Sequence, residues 1–412
     1  MAAALEVDSV NLKMPVNIGS KHFAANKYAY YAWLRDEAPV CRGKVSVMKA
    51  TFLSRYDDCV AFVQDPRFVR NRTTATGGGR FPVPLPKSVA ALGQSMITED
   101  EPEHRRLRGL VQKAFTARAL SVLENRIQEL TDELLDEVEK QGRVDLKQAY
   151  GLPVPATVIS EIMGISRDEV PHFQAMIRVL SKGLSGWSLL RTLTWDLRRT
   201  KDFVLDLIDR KRHKPGEDIL TGLIHAEEDG EGLSEDELVA MVFLLVIAGF
   251  ETTVNLITNG ALTLLEHPDS LERLRAEPEL WDSAVEEIVR YRGPIHSSKP
   301  QYATCDVEWH GETILKDTTV FPLYGAANHD PNAFENPELF DIERTPNKHL
   351  GFGWGPHFCL GASLARMETR ITLKTLFDRN PGLRLTVPTE ELRLEPAIGW
   401  HRYEALPVAL RS

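Results

Sequence analysis

The stretch that decides the fold is His349-Leu350-Gly351-Phe352-Gly353-Trp354-Gly355-Pro356-His357-Phe358-Cys359-Leu360-Gly361, followed by a helical pattern at 362–377. Glycine permits positive φ or a close approach to a flat ligand, at an entropic cost. Amide donors and a helix N-terminus favour a cysteine thiolate. A turn that places Cys359 just before a helix therefore indicates a thiolate ligand, and haem iron is a cofactor that a single axial thiolate can hold.

Length and charge limit the classes of function that the chain can have. Its 412 residues are 43% hydrophobic, enough for a sizeable core, and its net charge of −10 argues against a nucleic-acid partner held by bulk charge. The N-terminus shows no signal-peptide pattern, and the most apolar stretch, 238–250, is too short to span a bilayer. We expect a soluble, cytoplasmic, single-domain protein over 1–412, with no membrane or nucleic-acid partner.

The four cysteines are scattered and form no C-x-x-C pair: Cys41, Cys59, Cys305 and Cys359. This spacing matches neither a disulfide framework nor a zinc site. We therefore interpret the first three as ordinary core or surface residues, and only Cys359 as a candidate ligand.

The spacing of apolar residues indicates a mainly α fold with a minor β part. Helical spacing occurs at 119–140, 154–163, 173–190, 197–210, 278–292 and 362–377. Strand-like pieces occur at 45–48, 51–54, 300–303, 313–321 and 392–410. Glycines and prolines at 71–94 predict a binding loop or lid, and 328–346 is irregular. We find no internal repeat and no linker.

One predicted helix is much longer than the others. Ser234 and Glu237 form a capping box before an apolar run that meets no proline until Pro268, about 33 residues or roughly 50 Å. Because the run is apolar nearly all round, we expect it to pass through the centre of the molecule. Its middle reads Ala248-Gly249-Phe250-Glu251-Thr252-Thr253, where burying a carboxylate and hydroxyls is unfavourable unless they find partners.

The cysteine loop and the long helix resemble a known family. The loop has the pattern F-G-x-G-x-x-x-C-x-G, and the helix has A-G-x-E-T-T. Both are similar to motifs of the cytochrome P-450 family, the haem-thiolate monooxygenases. The resemblance covers essentially the whole chain and implies a triangular helical core around the central helix and a haem. It is nearest to soluble bacterial members that tailor polyketides and other secondary metabolites.

This resemblance implies the main chemical roles. Cys359 is the axial ligand of the haem iron, whose O–O cleavage is favoured by thiolate donation. Glu251 and Thr252 manage proton delivery, although a helical threonine more commonly bonds only the carbonyl one turn back.

The resemblance also implies further cofactor contacts: His104, Arg108, His357, Phe352 and Gln301. His104 and Arg108 are four residues apart, so they share a helix face and can both reach an anion; the resemblance implies that this anion is the pair of haem propionates. Gln301 occupies the strand position at which soluble bacterial relatives usually carry a propionate-binding arginine. The stretch reads His296-Ser297-Ser298-Lys299-Pro300-Gln301. Either Lys299 or His296 substitutes, or this propionate is held more loosely.

Glu287 and Arg290 share a helix face, which by default makes a surface ion pair worth roughly a few tenths of a kcal/mol. They match the family's E-x-x-R motif, and Arg344 stands where the family has a third partner. The resemblance therefore implies that these three residues form a structural network behind the haem.

The implied function is insertion of one oxygen atom of O2 into a hydrophobic small molecule, most simply by C–H hydroxylation, with epoxidation, coupling and desaturation open. The family implies haem b and a ferredoxin or flavodoxin-type electron donor with an NAD(P)H reductase. Arg105, Arg106 and Lys113 are either a solvated face or part of the surface that binds an acidic donor.

Two alternatives stay open. A peroxygenase would use hydrogen peroxide directly, but the intact Glu251-Thr252 pair argues against it. A haem sensor or carrier would not turn over, and we see no regulatory or DNA-binding segment. We expect a monomer with an apolar substrate pocket lined by 71–94, 173–190, 246–250, 295–298 and 398–401. Within this pocket, Ser297, Ser298 and His401 are candidates for orienting a substrate hydroxyl or carbonyl.

Overall fold

The computed structural model describes residues 12–78, 95–115, 117–166, 169–170, 173, 197–228 and 231–410. This part of the chain is mainly helical with a small β part, as predicted. Its α-helices are α1 (Lys21–Ala25), α2 (Lys27–Glu37), α3 (Tyr56–Phe62), α4 (Arg72–Thr76), α5 (Glu103–Ala114), α6 (Ala117–Gln141), α7 (Pro153–Ile162), α8 (Leu197–His213), α9 (Ile219–Ile224), α10 (Glu235–Glu266), α11 (Pro268–Ala276), α12 (Trp281–Arg292), α13 (Tyr324–Ala327) and α14 (Ala362–Arg379).

The strands are short. They are β1 (Val40–Val45), β2 (Met48–Leu53), β3 (Phe68–Val69), β4 (Arg143–Asp145), β5 (Glu227–Glu228), β6 (Glu231–Gly232), β7 (Gln301–Ala303), β8 (Val307–Trp309), β9 (Glu312–Ile314), β10 (Thr319–Pro322), β11 (Arg384–Leu385) and β12 (Pro407–Ala409). A π-helical turn lies at Lys147–Gly151, and 3-10 turns lie at Pro278–Leu280, Gly355–His357 and Thr389–Glu391.

The largest sheet has the strand order β1-β2-β10-β7-β3. β1 and β2 form an antiparallel hairpin that ends at Val45↔Met48, so the strand predicted at 45–48 is wrong. These residues form the turn, in which Ser46 has φ 57°. At the other edge β3 pairs antiparallel with β7 through Phe68↔Ala303 and Val69↔Tyr302. This pairing brings the chain after β3 next to the start of β7.

The C-terminal tail contains less regular strand than the pattern at 392–410 predicted. β12 joins a sheet of order β11-β12-β4, and the rest of the tail makes isolated bridges, Ile295↔Trp400 and Leu394↔Tyr403. The His401 N–H donates to the Pro294 carbonyl at 2.8 Å. The tail is therefore held by single contacts with distant segments, which strand propensity alone does not reveal.

The long helix α10 begins with the predicted capping box, in which the Ser234 side chain accepts from the Glu237 N–H and the Glu237 carboxylate accepts from the Ser234 N–H. It runs for 32 residues and packs against α7, α12 and α14. From the sequence, the apolar stretch 238–250 is too short to span a bilayer, but the whole helix is long and apolar enough to do so. However, 67% of its most apolar 18-residue segment is buried inside the protein. Its apolar surface is thus covered by the protein's own core.

The other helix predictions are largely confirmed. The patterns at 119–140, 154–163, 197–210 and 362–377 correspond to α6, α7, α8 and α14 with ends that differ by at most three residues, and 278–292 is a 3-10 turn followed by α12. The loop predicted at 71–94 begins with α4, a short helix that the glycine and proline pattern did not indicate. Residues 79–94 and most of the helical stretch predicted at 173–190 lie outside the described residues.

Glu368 is a buried carboxyl on α14, 3% exposed. Its Oε2 has no hydrogen-bond partner among the described residues, and burial raises its pKa from 4.5 to about 8. The folded chain therefore keeps this carboxyl protonated below about pH 8, whereas an unfolded chain ionises it above its ordinary pKa.

Because Glu368 is buried, the wild-type protein should lose stability as the pH rises. We predict that Glu368→Gln abolishes this loss. Between about pH 4.5 and 8 the folded state alone retains the proton, so the free energy of unfolding falls by up to about 1.4 kcal/mol per pH unit relative to the neutral variant. Urea unfolding of the holoprotein at pH 5, 6 and 7 measures the difference, with the exposed Glu391→Gln as the control. Parallel pH profiles for wild type and Glu368→Gln would contradict this prediction.

Candidate active site

The cysteine loop, residues 349–361, leads directly into α14. Gly353 and Gly355 have φ of 75° and 69°, in the left-handed region that other residues rarely adopt. The Cys359 N–H donates to the Phe352 carbonyl at 2.8 Å, which closes the loop. Cys359 thus lies three residues before the first residue of α14, in the position that the sequence predicted.

The Cys359 side chain is exposed, although protein encloses it from most directions. Burial raises the pKa of its thiol, whereas a hydrogen bond from the Gly361 amide and the charges of Arg108 and Arg366 lower it, and the net shift is upward. The thiolate expected from the helix N-terminus is therefore not produced by the protein environment alone. A coordinated metal ion would deprotonate the thiol outright.

Gly361 shows that the loop is shaped for a close ligand. Its φ is −86°, and a Cβ built there would meet no protein atom within 4 Å. Neither the backbone nor the neighbouring residues require glycine at this position, whereas the close approach of a flat ligand beside Cys359 does. Gly351 differs, because a Cβ there would overlap Val289.

A cluster of cationic side chains lies beside the loop; we call it the cationic cluster, and it comprises Arg70, His104, Arg108, Lys299 and His357. The rings of His104 and His357 are 4.0 Å apart. Burial and the charges of Arg70, His104 and Arg108 lower the pKa of His357 to about 2. His357 is therefore neutral near pH 7. The buried Nε2 of His104 has no hydrogen-bond partner among the described residues, and His104 Nδ1 lies 3.1 Å from Glu101 Oε1. The unpaired Nε2 of His104 and the guanidinium groups of Arg70 and Arg108 offer donors that suit an anionic ligand.

Lys299 and His296, the two candidate substitutes for an arginine at position 301, lie in different environments. Gln301 is 4% exposed and its Oε1 is unpaired within the described chain. Neighbouring protein atoms and the charge of Arg70 lower the pKa of Lys299, although part of its side chain reaches solvent, so Lys299 lies at the edge of the cationic cluster. His296 instead lies in the core, with its Nδ1 3.1 Å from the Tyr31 hydroxyl. The hypothesis that His296 substitutes is wrong.

His401 is also a core residue. Its ring stacks on that of His296 with centroids 4.6 Å apart, it is 0% exposed, and burial together with His296 and Lys27 holds its pKa well below the ordinary value. A fully buried ring has no surface to offer a substrate. The hypothesis that His401 orients a substrate group is therefore wrong.

The middle of α10 presents two threonines in different environments. The Thr252 hydroxyl donates to the Ala248 carbonyl at 2.5 Å, and the Thr253 hydroxyl donates to the Gly249 carbonyl at 2.9 Å. Thr253 is 3% exposed, whereas Thr252 is only partly buried. Of the two hydroxyls, that of Thr252 is the more accessible to a reacting group.

Glu251 forms an ion pair with Arg402 of the C-terminal tail. Arg402 Nε lies 2.8 Å from Glu395 Oε2, and Lys147 Nζ lies 3.3 Å from Glu395 Oε1. Alternating charges thus connect the centre of α10 to the tail. The sequence reasoning missed Arg402, because 151 residues separate the two partners and no local spacing indicates their contact.

Behind the loop, Glu287, Arg290 and Arg344 form the predicted network. The Glu287 and Arg290 side chains are both 0% exposed and joined by bonds of 2.7 and 2.8 Å. Arg344 Nε lies 3.2 Å from both Glu287 carboxylate oxygens. This is a buried pair, not the exposed one that an E-x-x-R spacing by itself suggests.

The predicted basic surface on α5 is partly neutralised by the protein's own carboxylates. Arg106 pairs with Glu103 at 2.6 Å and also with Glu237. The Arg105 side chain is 83% exposed and contacts Glu101 at 3.1 Å. Arg105 therefore projects from the surface, whereas Arg106 links α5 to the first turn of α10 through Glu237.

The fold and this site define the class of the protein: it belongs to the cytochrome P450 family, whose sequence profile, Cytochrome P450, matches residues 58–380. Among its relatives is the polyketide biosynthesis cytochrome P450 PksS of Bacillus subtilis (strain 168), 38% identical over 395 residues, covering 95% of this chain and 97% of PksS. The solved structure of PksS superimposes with a TM-score of 0.89 at 38% identity and covers 96% of this chain and 99% of PksS.

Two further relatives carry names that state an activity. Cytochrome P450 monooxygenase PikC of Streptomyces venezuelae is 38% identical and covers 94% of this chain and 92% of PikC. The 6-deoxyerythronolide B hydroxylase of Saccharopolyspora erythraea is 35% identical and covers 96% of this chain and 98% of the hydroxylase. The protein is accordingly an enzyme, a bacterial P450 monooxygenase that uses haem iron and O2 and acts on small molecules.

The residues of the site fit a haem. Cys359 is an accessible soft ligand, the open side of Gly361 allows a flat ring to approach, and the cationic cluster complements carboxylate groups at the ring edge.

We predict that Glu287→Gln is strongly destabilising. The substitution leaves two buried guanidinium groups without their carboxylate, which costs about 3–5 kcal/mol in free energy of unfolding. Urea unfolding of the holoprotein and its haem content measure the effect. Glu124→Gln is the matched control, because Glu124 pairs with Arg370 at the surface and its loss should cost about 1 kcal/mol or less. Equal losses in the two variants would contradict the assignment.

Proposed function

We propose that this protein is a haem b monooxygenase that inserts one oxygen atom of O2 into a C–H bond of a hydrophobic small molecule. The observation that carries the proposal is the accessible Cys359 thiol at the start of α14, beside the cationic cluster. The second support is the carboxylate and hydroxyl of Glu251 and Thr252 in the middle of the core helix α10.

When bound, the haem iron supplies the activation of O2. In this proposal Cys359 ligates the iron, and His104, Arg108 and His357 bind the propionates through their N–H groups. Phe352 packs near the haem; its ring lies 4.5 Å from the Arg366 guanidinium, which holds the ring in one orientation. Amide donation from Gly361 to the Cys359 sulfur tunes the electron density of the thiolate.

Glu251 and Thr252 handle protons. Insertion of one oxygen atom of O2 converts the other to water, which consumes two protons. The Thr252 hydroxyl has one donor hydrogen, which it gives to the Ala248 carbonyl in this structure. When it rotates away from that carbonyl, it can donate toward the reacting oxygen while accepting another hydrogen bond. The Glu251 carboxylate is held by Arg402, and it exchanges protons with solvent when this pair opens.

The relatives support a hydrophobic substrate of the polyketide type. PksS is named for polyketide biosynthesis and another relative is a 6-deoxyerythronolide B hydroxylase. In this chain the stretch of α10 before Glu251 offers apolar side chains such as Val246 and Phe250, which are largely buried. A small-molecule pocket of this composition binds by burial of apolar area.

A ferredoxin or flavodoxin-type protein with an NAD(P)H reductase supplies the electrons in this proposal. The exposed Arg105 suits an acidic donor. The protein acts as a soluble, cytoplasmic monomer with a single domain.

The ligand assignment predicts a spectrum. The reduced, carbon-monoxide-bound holoprotein should show the strongly red-shifted Soret band of a thiolate-ligated haem, and Cys359→Ser should lose it because serine supplies no sulfur ligand. Cys305→Ser, which changes an exposed free cysteine, is the control and should retain the band. A band of unchanged position in Cys359→Ser would refute the assignment.

Turnover separates the monooxygenase from the two alternatives. With a surrogate ferredoxin, reductase and NAD(P)H, oxygenated product is expected in proportion to the electrons consumed. Product formed only from added hydrogen peroxide would identify a peroxygenase. Absence of product with every ligand that perturbs the haem spectrum would identify a sensor or carrier.

The proton route predicts different effects for the two threonines. Glu251→Gln should lower the oxidation rate on the order of 100-fold, the typical contribution of a proton-transfer group, and Thr252→Ala should release hydrogen peroxide at the expense of product. Thr253→Val is the matched control, because the Thr253 side chain is 3% exposed and so less accessible than that of Thr252, and it should keep the wild-type ratio of product to NAD(P)H. The same peroxide release in both threonine variants would exclude a special role for Thr252.

A further inference from the structure

The strand that should carry a propionate-binding arginine carries Gln301, a neutral residue. β3 and β7 pair antiparallel through Phe68↔Ala303 and Val69↔Tyr302. β3 ends at Val69, and the chain bends at Arg70. Because Val69 pairs with Tyr302, the neighbour of Gln301, the Arg70 backbone lies beside the start of β7. A positive charge is therefore present in the neighbouring segment, close to the position that usually carries it.

Arg70 is poorly satisfied by the protein itself. It is 8% exposed, and its Nε has no hydrogen-bond partner among the described residues. Its Nη1 makes one long contact, 3.4 Å, with the Ile97 carbonyl. A buried guanidinium without its full set of acceptors is unfavourable, so a further acceptor is expected.

The nearest carboxylate does not fill this need. Asp100 accepts the backbone N–H of Arg70 at 2.7 Å with Oδ1 and the N–H of Asn71 at 2.9 Å with Oδ2. Both oxygens thus hold the chain after β3, and no ion pair between Asp100 and the Arg70 guanidinium forms in the described structure. Asp100 sets the position of the Arg70 backbone and leaves the side chain available.

Arg70 belongs to the cationic cluster. Asp100 accepts the Arg70 N–H with its side chain and the His104 N–H with its carbonyl, and the His104 ring lies 4.0 Å from that of His357, two residues before Cys359. Arg70 therefore lies close to both the cysteine loop and β7. Asp100 accepts backbone N–H groups and Glu101 lies 3.1 Å from His104 Nδ1, so neither carboxylate is paired with the Arg70 guanidinium in the described structure. This arrangement suits a ligand that brings its own carboxylates, as a haem does.

We propose that Arg70, assisted by Lys299, binds the haem propionate that an arginine at position 301 binds in relatives. The inference rests on the proposed function, since it requires the haem. The Arg70 guanidinium donates to the carboxylate through Nε and Nη. The positive charge is thus supplied by the residue that follows β3 and not by a residue of β7. Gln301 stays in the same place as a smaller, neutral neighbour.

A charge swap across the two strands tests the proposal. The variants are Arg70→Gln, Gln301→Arg and the double variant that carries both changes. The readouts are the rate of haem transfer to excess apomyoglobin and the reduction potential of the haem iron. Arg67→Gln, which removes an exposed arginine paired with Asp65, is the control for loss of charge.

Arg70→Gln should release haem about 10- to 100-fold faster, as expected for loss of a charged hydrogen bond, and should lower the reduction potential because a nearby positive charge favours reduced iron. The double variant should recover most of both losses, and Arg67→Gln should change neither. Because Arg70→Gln could act by perturbing the fold, Arg70→Lys and the recovery in the double variant decide the matter. Recovery of haem retention in the double variant would show that Arg70→Gln removed a needed charge and did not merely disturb the packing.

Wild-type haem release from Arg70→Gln, or loss of haem with no recovery in the double variant, would overturn the proposal. Either result leaves the proposed function standing as long as the wild-type protein shows the red-shifted carbon-monoxide band. Absence of that band in the wild type would instead refute the proposed function.

Discussion

One buried carboxylate, that of Glu287, holds together the segments that position the cysteine loop. It is 0% exposed and accepts hydrogen bonds from the guanidinium groups of Arg290 and Arg344, from the Asp341 N–H and from the Asn347 amide. A buried charge is tolerated only when such bonds replace its hydration. The irregular segment at 335–347, which contains neither helix nor strand, is therefore held in one arrangement by the charge that it surrounds.

This constraint reaches the cysteine loop through two hydrogen bonds. Arg290 Nη1 donates to the Asn328 carbonyl at 2.8 Å, and the Asn328 side-chain oxygen accepts from the Leu350 N–H at 2.7 Å. The neighbouring Glu286 binds Arg366 at 2.5 and 2.9 Å, on the helix that follows the loop. Two adjacent carboxylates of α12 thus position both ends of the loop that carries Cys359.

Two positive charges near the site come from segments far away in the sequence. Arg402 pairs with Glu251 from the tail, and Arg70 reaches the cationic cluster from the end of β3. In the proposed function, one of these charges holds a proton-transfer carboxylate and the other binds a haem propionate. The upward shift in the pKa of the Cys359 thiol also depends on the tertiary structure, because burial outweighs the local amide and helix N-terminus.

Local spacing was enough to identify the family motifs, the capping box and length of α10, most helix ends and the cysteine proposed as the ligand, because these features depend on residues within a few turns of one another. Tertiary structure alone decided that Glu287 and Arg290 are buried and that His296 and His401 belong to the core. It also decided which cations neighbour the haem site. Burial and ion pairing depend on what a fold brings together across 150 residues or more, as for Glu251 and Arg402, and no periodicity along the chain records that distance.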